Sequence, residues 1–330
     1  MDSKILREKF SKLSVLVCGD MCLDKDFIGG YSGYSREKEQ LPIFRTEIEK
    51  YNPGGGGNLS VCFSALGVKT TIAGFWGDDN DINRYILESC FKKRNIDTSG
   101  MVIGSRTPTF GKVYQHNGTH IYRIDLISDP VTEKEIDLLV NKVKNLINSV
   151  NFIACADYEE ANDFGVCTKN VLDIIADSPL PKFGTSRARI KNFRNFNHLL
   201  QNKKELTEQT ELGRHAELPK IVEDFLNKLK VEDMVVTMGG KGAIAFWLNN
   251  GEIESINVGS EELTENIDPC GCGDMFYATY SSSIMAGFDM ETSIKIANSS
   301  ARVVARKLFG TGQTTPEEIA EEYKVLYPKG

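Results

Sequence analysis

Asp268-Pro-Cys-Gly-Cys-Gly-Asp274 stands immediately ahead of an apolar helical stretch that begins near Met275. Glycines at 271 and 273 let successive backbone N–H groups converge without Cβ obstruction, and a helix behind them adds the positive end of its dipole. Such a turn is suited to an anion. A carboxylate at position 274 would be placed to take a proton from a hydroxyl attacking a phosphoryl group, while the N–H groups hold charge on the transferring oxygens. The same residues also suit a tight turn with Asp274 as a helix cap.

Pro53-Gly-Gly-Gly-Gly-Asn58 is the second cluster. Its glycines admit close backbone approach to a ligand, and Asn58 offers a donor and an acceptor to a polyhydroxylated molecule; a turn or hinge is the competing reading. The run does not fit G-x-G-x-x-G, and Gly239-Gly-Lys-Gly242 lacks the Ser or Thr that a Walker A lysine requires, so ordinary Rossmann and P-loop sites are excluded. Cys270 and Cys272 have no histidine partner and read as small, half-buried side chains.

These residues sit in a chain of 330 with 41% hydrophobic and 26% charged residues, enough apolar material for a substantial core. The formal charge of −7 offers no general basic field, which argues against nucleic acid and anionic lipid as partners. Eight cysteines are too sparse for a disulfide scaffold. The N-terminus begins with a charged helical stretch, and no segment approaches the roughly 20 apolar residues that span a bilayer, so a cytoplasmic protein is expected.

The elements that must position the clusters alternate. Ser14 to Cys18, Thr70 to Trp76, Phe152 to Asp157 and Met234 to Met238 read as buried strands. Helices are expected over Asn58 to Leu66, Ile82 to Lys93, the capping-box segment behind Thr132 and Glu135, Val166 to Ala176, Pro219 to Lys230, Met275 to Ala286, Glu291 to Leu308, and Pro316 to Tyr323. Ala243 to Leu248 and Glu252 to Val258 form a hairpin, and another flanks Asn117-Gly118. That second hairpin and the polar, aromatic stretch from Lys25 to Tyr51 suit a β flap, while Lys182 to Leu200 reads as a basic, solvated surface. The pattern is α/β, a parallel sheet with crossover helices.

Gly19-Asp20-Met-Cys-Leu-Asp24, the glycine run, Asn202-Lys-Lys-Glu205, Val235-Val-Thr-Met-Gly-Gly-Lys-Gly-Ala243 and the segment ending at Asp274 follow one another in the order of the ribokinase-like (PfkB) carbohydrate kinases. The chain resembles that family over roughly residues 14 to 325. Within it, the opening motif, Leu41-Pro-Ile and Lys307-Leu-Phe-Gly-Thr311 look most like kinases of the anomeric hydroxyl of D-glycero-D-manno-heptose 7-phosphate. The resemblance implies a single three-layer sandwich over residues 1–330, with a mostly parallel central sheet and a β flap from about 25–50 and 108–127.

It also implies roles. Asp274 is the expected base, with the amides of Gly271, Cys272 and Gly273 as the anion hole. Asp24, Gly55, Gly56, Gly57, Asn58 and Asp157 would hold the sugar. Asn202 and Glu205 would organise Mg²⁺ and phosphate, Glu205 through water. Thr237, Gly239 and Gly242 would line the nucleotide phosphates and ribose, Asp268 belongs to the same set, and Asn298 would lie near adenine. ATP and Mg²⁺ are the implied cofactors, and flaps of this kind pair in homodimers. For a distal phosphate, Lys112 and Arg123 lead over Arg36, Arg187 and Arg189, although exposed flap charge is an equal reading. Gly184-Thr185-Ser186-Arg187 departs from relatives that carry Asp before Ser-Arg, the glycine run lacks the usual alanines, and Cys272 replaces a common Ala. Kinases of fructose, ribose or nucleosides, and a sugar-phosphate sensor with little turnover, are the alternatives.

Overall fold

Val15 and Val17 project to one side of a central sheet and Leu16 and Cys18 to the other, each pair into a separate hydrophobic core. A strand buried on both faces reads as an unbroken apolar run, and the alternation of Cβ directions divides it between two helix layers. Helices Gly56–Ala65, Cys272–Met285 and Met290–Ala305 pack on the first core, and helices Glu133–Ile147, Lys169–Ala176 and Leu218–Leu229 on the second. The computed structural model describes residues 1–158, 165–213, 215–264, 267–308 and 310–328. Phe309, within the motif ending at Thr311, therefore lies outside the described residues.

In chain order the strands are β1 (Ser14–Gly19), β2 (Met21–Tyr34), β3 (Pro42–Gly55), β4 (Lys69–Trp76), β5 (Asp97–Ile103), β6 (Thr109–Gln115), β7 (His120–Leu126), β8 (Phe152–Asp157), β9 (Lys182–Ser186), β10 (His198–Asn202), β11 (Asp233–Thr237), β12 (Gly242–Asn249) and β13 (Glu252–Gly259). Among the described residues, nine make one sheet in the order β13-β12-β11-β10-β9-β8-β1-β4-β5. It is parallel from β11 to β5, and β12 and β13 form an antiparallel hairpin at one edge. That hairpin turns through Asn250 at φ 51° and Gly251 at φ 86°, two successive left-handed residues as a type I′ turn requires.

The other four strands make a second sheet, β3-β2-β6-β7, in which β2 pairs antiparallel with β3 and parallel with β6. Its strands reach further inward than residues 25–50: β2 starts at Met21, directly after β1, and β3 ends at Gly55, directly before helix Gly56–Ala65. The basic stretch 182–200 is not a solvated surface alone, because it contains β9 and most of β10. Both strands are largely buried beside β8 and β11, and burial rather than β propensity orders Lys182-Phe-Gly-Thr-Ser186. Helix Lys169–Ala176 starts three residues later than Val166, behind Thr168, and helix Met290–Ala305 stops short of Leu308.

The glycine run is where the sheets join. Gly55 has φ 57° and ψ −131°, and a Cβ there would meet the Asp20 carbonyl oxygen at 2.5 Å; a Cβ on Gly56 would meet the Gly19 backbone at 3.0 Å. Close approach is thus made to the chain's own β1–β2 junction. Gly55→Ala is expected to lower stability by about 2 kcal/mol in denaturant unfolding, whereas Gly30→Ala, whose Cβ meets nothing within 4 Å, stays within about 0.5 kcal/mol.

Candidate active site

Parallel strands end together, and their carboxyl ends leave a crevice that helices cannot fill. Here the second sheet closes over that crevice and encloses a cavity of about 870 Å³. Residues at or just beyond the ends of β1, β8, β10 and β11 (Asp20, Tyr158, Asn202 and Thr237) face Lys112 and Arg123 of the second sheet across it.

Asp274 lies in the first turn of helix Cys272–Met285 and opens onto the cavity. Its Oδ2 accepts from Asn58 Nδ2 at 2.5 Å and its Oδ1 from the Tyr158 hydroxyl. Burial pushes its pKa up to about 6, against the Tyr158 and Asn58 hydrogen bonds; Asp24 adds to the rise and Arg187 opposes it. The group is therefore ionised at neutral pH yet basic enough to receive a proton.

Gly271, at φ 81°, is the cap from which this helix starts, and a Cβ on it would meet Asn58 Nδ2 at 3.2 Å. The Cys272 amide donates to the Pro269 carbonyl at 3.2 Å, so it is turned into the loop and the expected trio of anion-hole donors is corrected at that member. A first-turn amide has no intrahelical acceptor, and those of Gly273 and Asp274 remain for a ligand. A Cβ on Gly273 would meet nothing within 4 Å, leaving open space at the cavity wall.

Asp24 and Lys112 face each other on neighbouring strands, with Lys112 Nζ 2.9 Å from Asp24 Oδ2. Burial draws the ammonium pKa down, and the Asp24 carboxylate more than reverses that, so Lys112 stays charged. Both line the cavity, and Lys112 is committed to Asp24 rather than open for a distal phosphate. Gly55 lines the cavity, but Gly56 and Gly57 do not, and Asn58 acts through Asp274. Arg123 reaches the cavity with its guanidinium 4.5 Å from the Phe110 ring centroid and its Nε 2.7 Å from Asp125.

At the opposite end, Asn202 caps helix Lys203–Gln209, its Oδ1 accepting from Glu205 N at 2.8 Å. Burial raises the Glu205 pKa against a hydrogen bond with the Asn202 side chain and the charge of Arg187, whose Nε lies 3.9 Å from Glu205 Oε1, and Glu205 lines the cavity. Thr237 lines the same end.

Other expected site residues serve the framework. Gly242, at φ 97°, begins β12, where a Cβ would meet the Val258 carbonyl oxygen at 2.2 Å, and Gly239 starts the short turn before it. Asp268 Oδ1 accepts from Cys270 N at 2.9 Å. Asn298 is buried, donating to Val258 O at 3.2 Å and to the Tyr327 hydroxyl at 3.1 Å. Asp157 is corrected most clearly: it is fully buried against Arg189 and accepts from the Ser186 hydroxyl at 2.7 Å, away from the cavity lining. Arg189 is consumed by the same pair, and Arg36 is exposed on the flap. Tyr158, the neighbour of Asp157, was not foreseen; position one residue beyond the end of a buried parallel strand was the available signal.

The model of the pfkB family carbohydrate kinases matches residues 15–317. The chain belongs to that family. The family is one of carbohydrate kinases. The bifunctional protein HldE of Nitrobacter winogradskyi is 27% identical over 333 residues, which cover 95% of this chain and 64% of the relative. Its namesake in Helicobacter pylori is 26% identical over 329 residues, covering 96% and 67%. The chain thus spans about two thirds of the length of these relatives. The crystal structure of phosphofructokinase-2 from Escherichia coli in complex with potassium superposes with a TM-score of 0.77 at 16% identity, covering 95% of this chain and 98% of that one. The Arabidopsis thaliana ribokinase complexed with ribose and ATP gives 0.71 at 16%, covering 94% and 99%. The fold is ribokinase-like.

Lys112→Met would strand the Asp24 charge in a site where both side chains are nearly buried, and a loss of about 3 kcal/mol in denaturant unfolding is expected. Adding Asp24→Asn should recover most of it.

Proposed function

We propose that this kinase transfers the terminal phosphoryl group of ATP to the anomeric hydroxyl of D-glycero-D-manno-heptose 7-phosphate, with Asp274 as the base. The observation that carries the reading is the place of Asp274: a half-buried carboxylate opening onto the cavity between the Asp24–Lys112 pair and the Asn202–Glu205 end, beside unclaimed helix amides. Asp24 and Asn58 are read as sugar and base holders, Asn202, Glu205 and Thr237 as the nucleotide side.

The acceptor hydroxyl gives its proton to Asp274 as its oxygen attacks in line, and the amides of Gly271, Gly273 and Asp274 take up charge on the transferring oxygens. Mg²⁺, when bound, would neutralise phosphate charge, and the cavity-lining carboxylate of Glu205 would fit a water-mediated hold on it. The flap excludes water that would otherwise accept the phosphoryl group.

A phosphorylated acceptor needs a cation at the far end. Arg106 lines that end together with Arg123, Phe110 and Ser128, and it has no ion pair among the described residues, which favours it over Lys112. Homodimer formation through the flap fits its exposed Tyr31, Tyr34, Tyr122 and Ile124.

Asp274→Asn is expected to cut kcat at least 10³-fold, roughly the top of the range for a lost general base plus its electrostatic share. In the parent enzyme kcat/KM should fall about tenfold per pH unit below pH 6, because protonation removes the base. Both are read by coupled ADP release over a panel of heptose 7-phosphate, fructose 6-phosphate, fructose and ribose. Arg106→Ala should raise KM for the phosphorylated sugars by about tenfold and leave that for ATP unchanged. Turnover confined to unphosphorylated sugars would replace the heptose-phosphate reading, and binding with no ADP release would favour a sensor.

A further inference from the structure

Tyr158 directly follows β8 and lines the cavity. Its hydroxyl donates to Asp274 Oδ1 while Asn58 donates to Oδ2 at 2.5 Å, so the carboxylate is gripped from both sides. The backbone that presents the ring is anchored as well. Asp20 Oδ2 accepts from Tyr158 N at 2.8 Å, and its Oδ1 accepts from Val166 N at 2.7 Å. The Arg187 guanidinium lies 5.7 Å from the Tyr158 ring centroid.

We propose that Tyr158 is a positioning residue for phosphoryl transfer, holding the Asp274 carboxylate ionised and aimed into the cavity through its phenolic hydrogen bond. The inference rests on the reading of Asp274 as the base. With Asn58 alone, one carboxylate oxygen would be held and the group could pivot about it; the phenol supplies the second point. A donor to the charged form also opposes the burial that disfavours it. The phenol itself stays protonated, since burial and then the Asp274 charge push its pKa well above the usual range.

The other charged or titratable groups acting on Asp274 are Asp24, which raises its pKa, and Arg187, which lowers it. The thiols of Cys22, Cys62, Cys270 and Cys272 also face it, and burial is the largest cause keeping each of them in its neutral form. Asp20 is connected through the Tyr158 backbone, with a pKa raised to about 7 by burial and then by Asp157. None of these donates a hydrogen bond to Asp274 Oδ1 among the described residues.

The test is a carbon-13 NMR titration of aspartate carboxyl groups in the full chain without substrate, with the Asp274 signal assigned by its loss in Asp274→Asn. Tyr158→Phe should raise the Asp274 pKa by roughly one unit, the scale of a lost charge-assisted hydrogen bond. Site-specific 3-fluorotyrosine at position 158, a more acidic donor on the same ring, should lower it, and keeps the test intact where Tyr158→Phe misfolds. An Asp274 pKa that moves in neither protein overturns the proposal. Because no turnover is read, that result leaves the base assignment standing; full ADP release by Asp274→Asn would instead remove the base assignment.

Discussion

The site depends on a carboxylate drawn largely out of bulk water and still kept charged. Burial alone would protonate Asp274, and hydrogen bonds alone would make it too weak a base; the balance between them leaves its pKa at about 6. Each partner in that balance comes from a distant part of the chain. Asn58 comes from helix Gly56–Ala65, Tyr158 from the end of β8, and Asp274 from helix Cys272–Met285. Any change that moves β8 relative to these helices therefore acts on the Asp274 carboxylate.

The glycine run shows how the fold permits this meeting. Asn58 can reach Asp274 because helix Gly56–Ala65 starts directly against the β1–β2 junction, with the Gly56 amide donating to the Asp20 carbonyl at 2.8 Å. Side chains at 55 and 56 would push the helix outward. The same junction leads β2 and β3 into the second sheet, so the Asp24–Lys112 pair and the Asn58 contact are tied to one stretch of backbone.

Much of this was legible in the residues. The segment ending at Asp274 announced a turn and a helix start, and Thr132 caps a helix with the capping box that Glu135 foretells. Asn250-Gly251 turns as its composition requires. These signals are local. Tyr158, the Lys112–Asp24 pair and the Asp157–Arg189 pair are long-range, and no spacing within one segment encodes them. Asp157 and Tyr158 show the limit: adjacent residues at a strand end point to opposite sides, so a one-residue difference separates a framework ion pair from a site contact. The strands hidden in 182–202 escaped because their order comes from buried neighbours rather than from an apolar pattern.

The most direct measurement is a crystal structure with a non-hydrolysable ATP analogue and D-glycero-D-manno-heptose 7-phosphate bound together. The account predicts the Asp274 carboxylate about 2.6–3.2 Å from the anomeric hydroxyl, with that oxygen in line with the terminal phosphorus and helix amides on the phosphoryl oxygens. An acceptor hydroxyl facing another group, with Asp274 turned from both ligands, would contradict it.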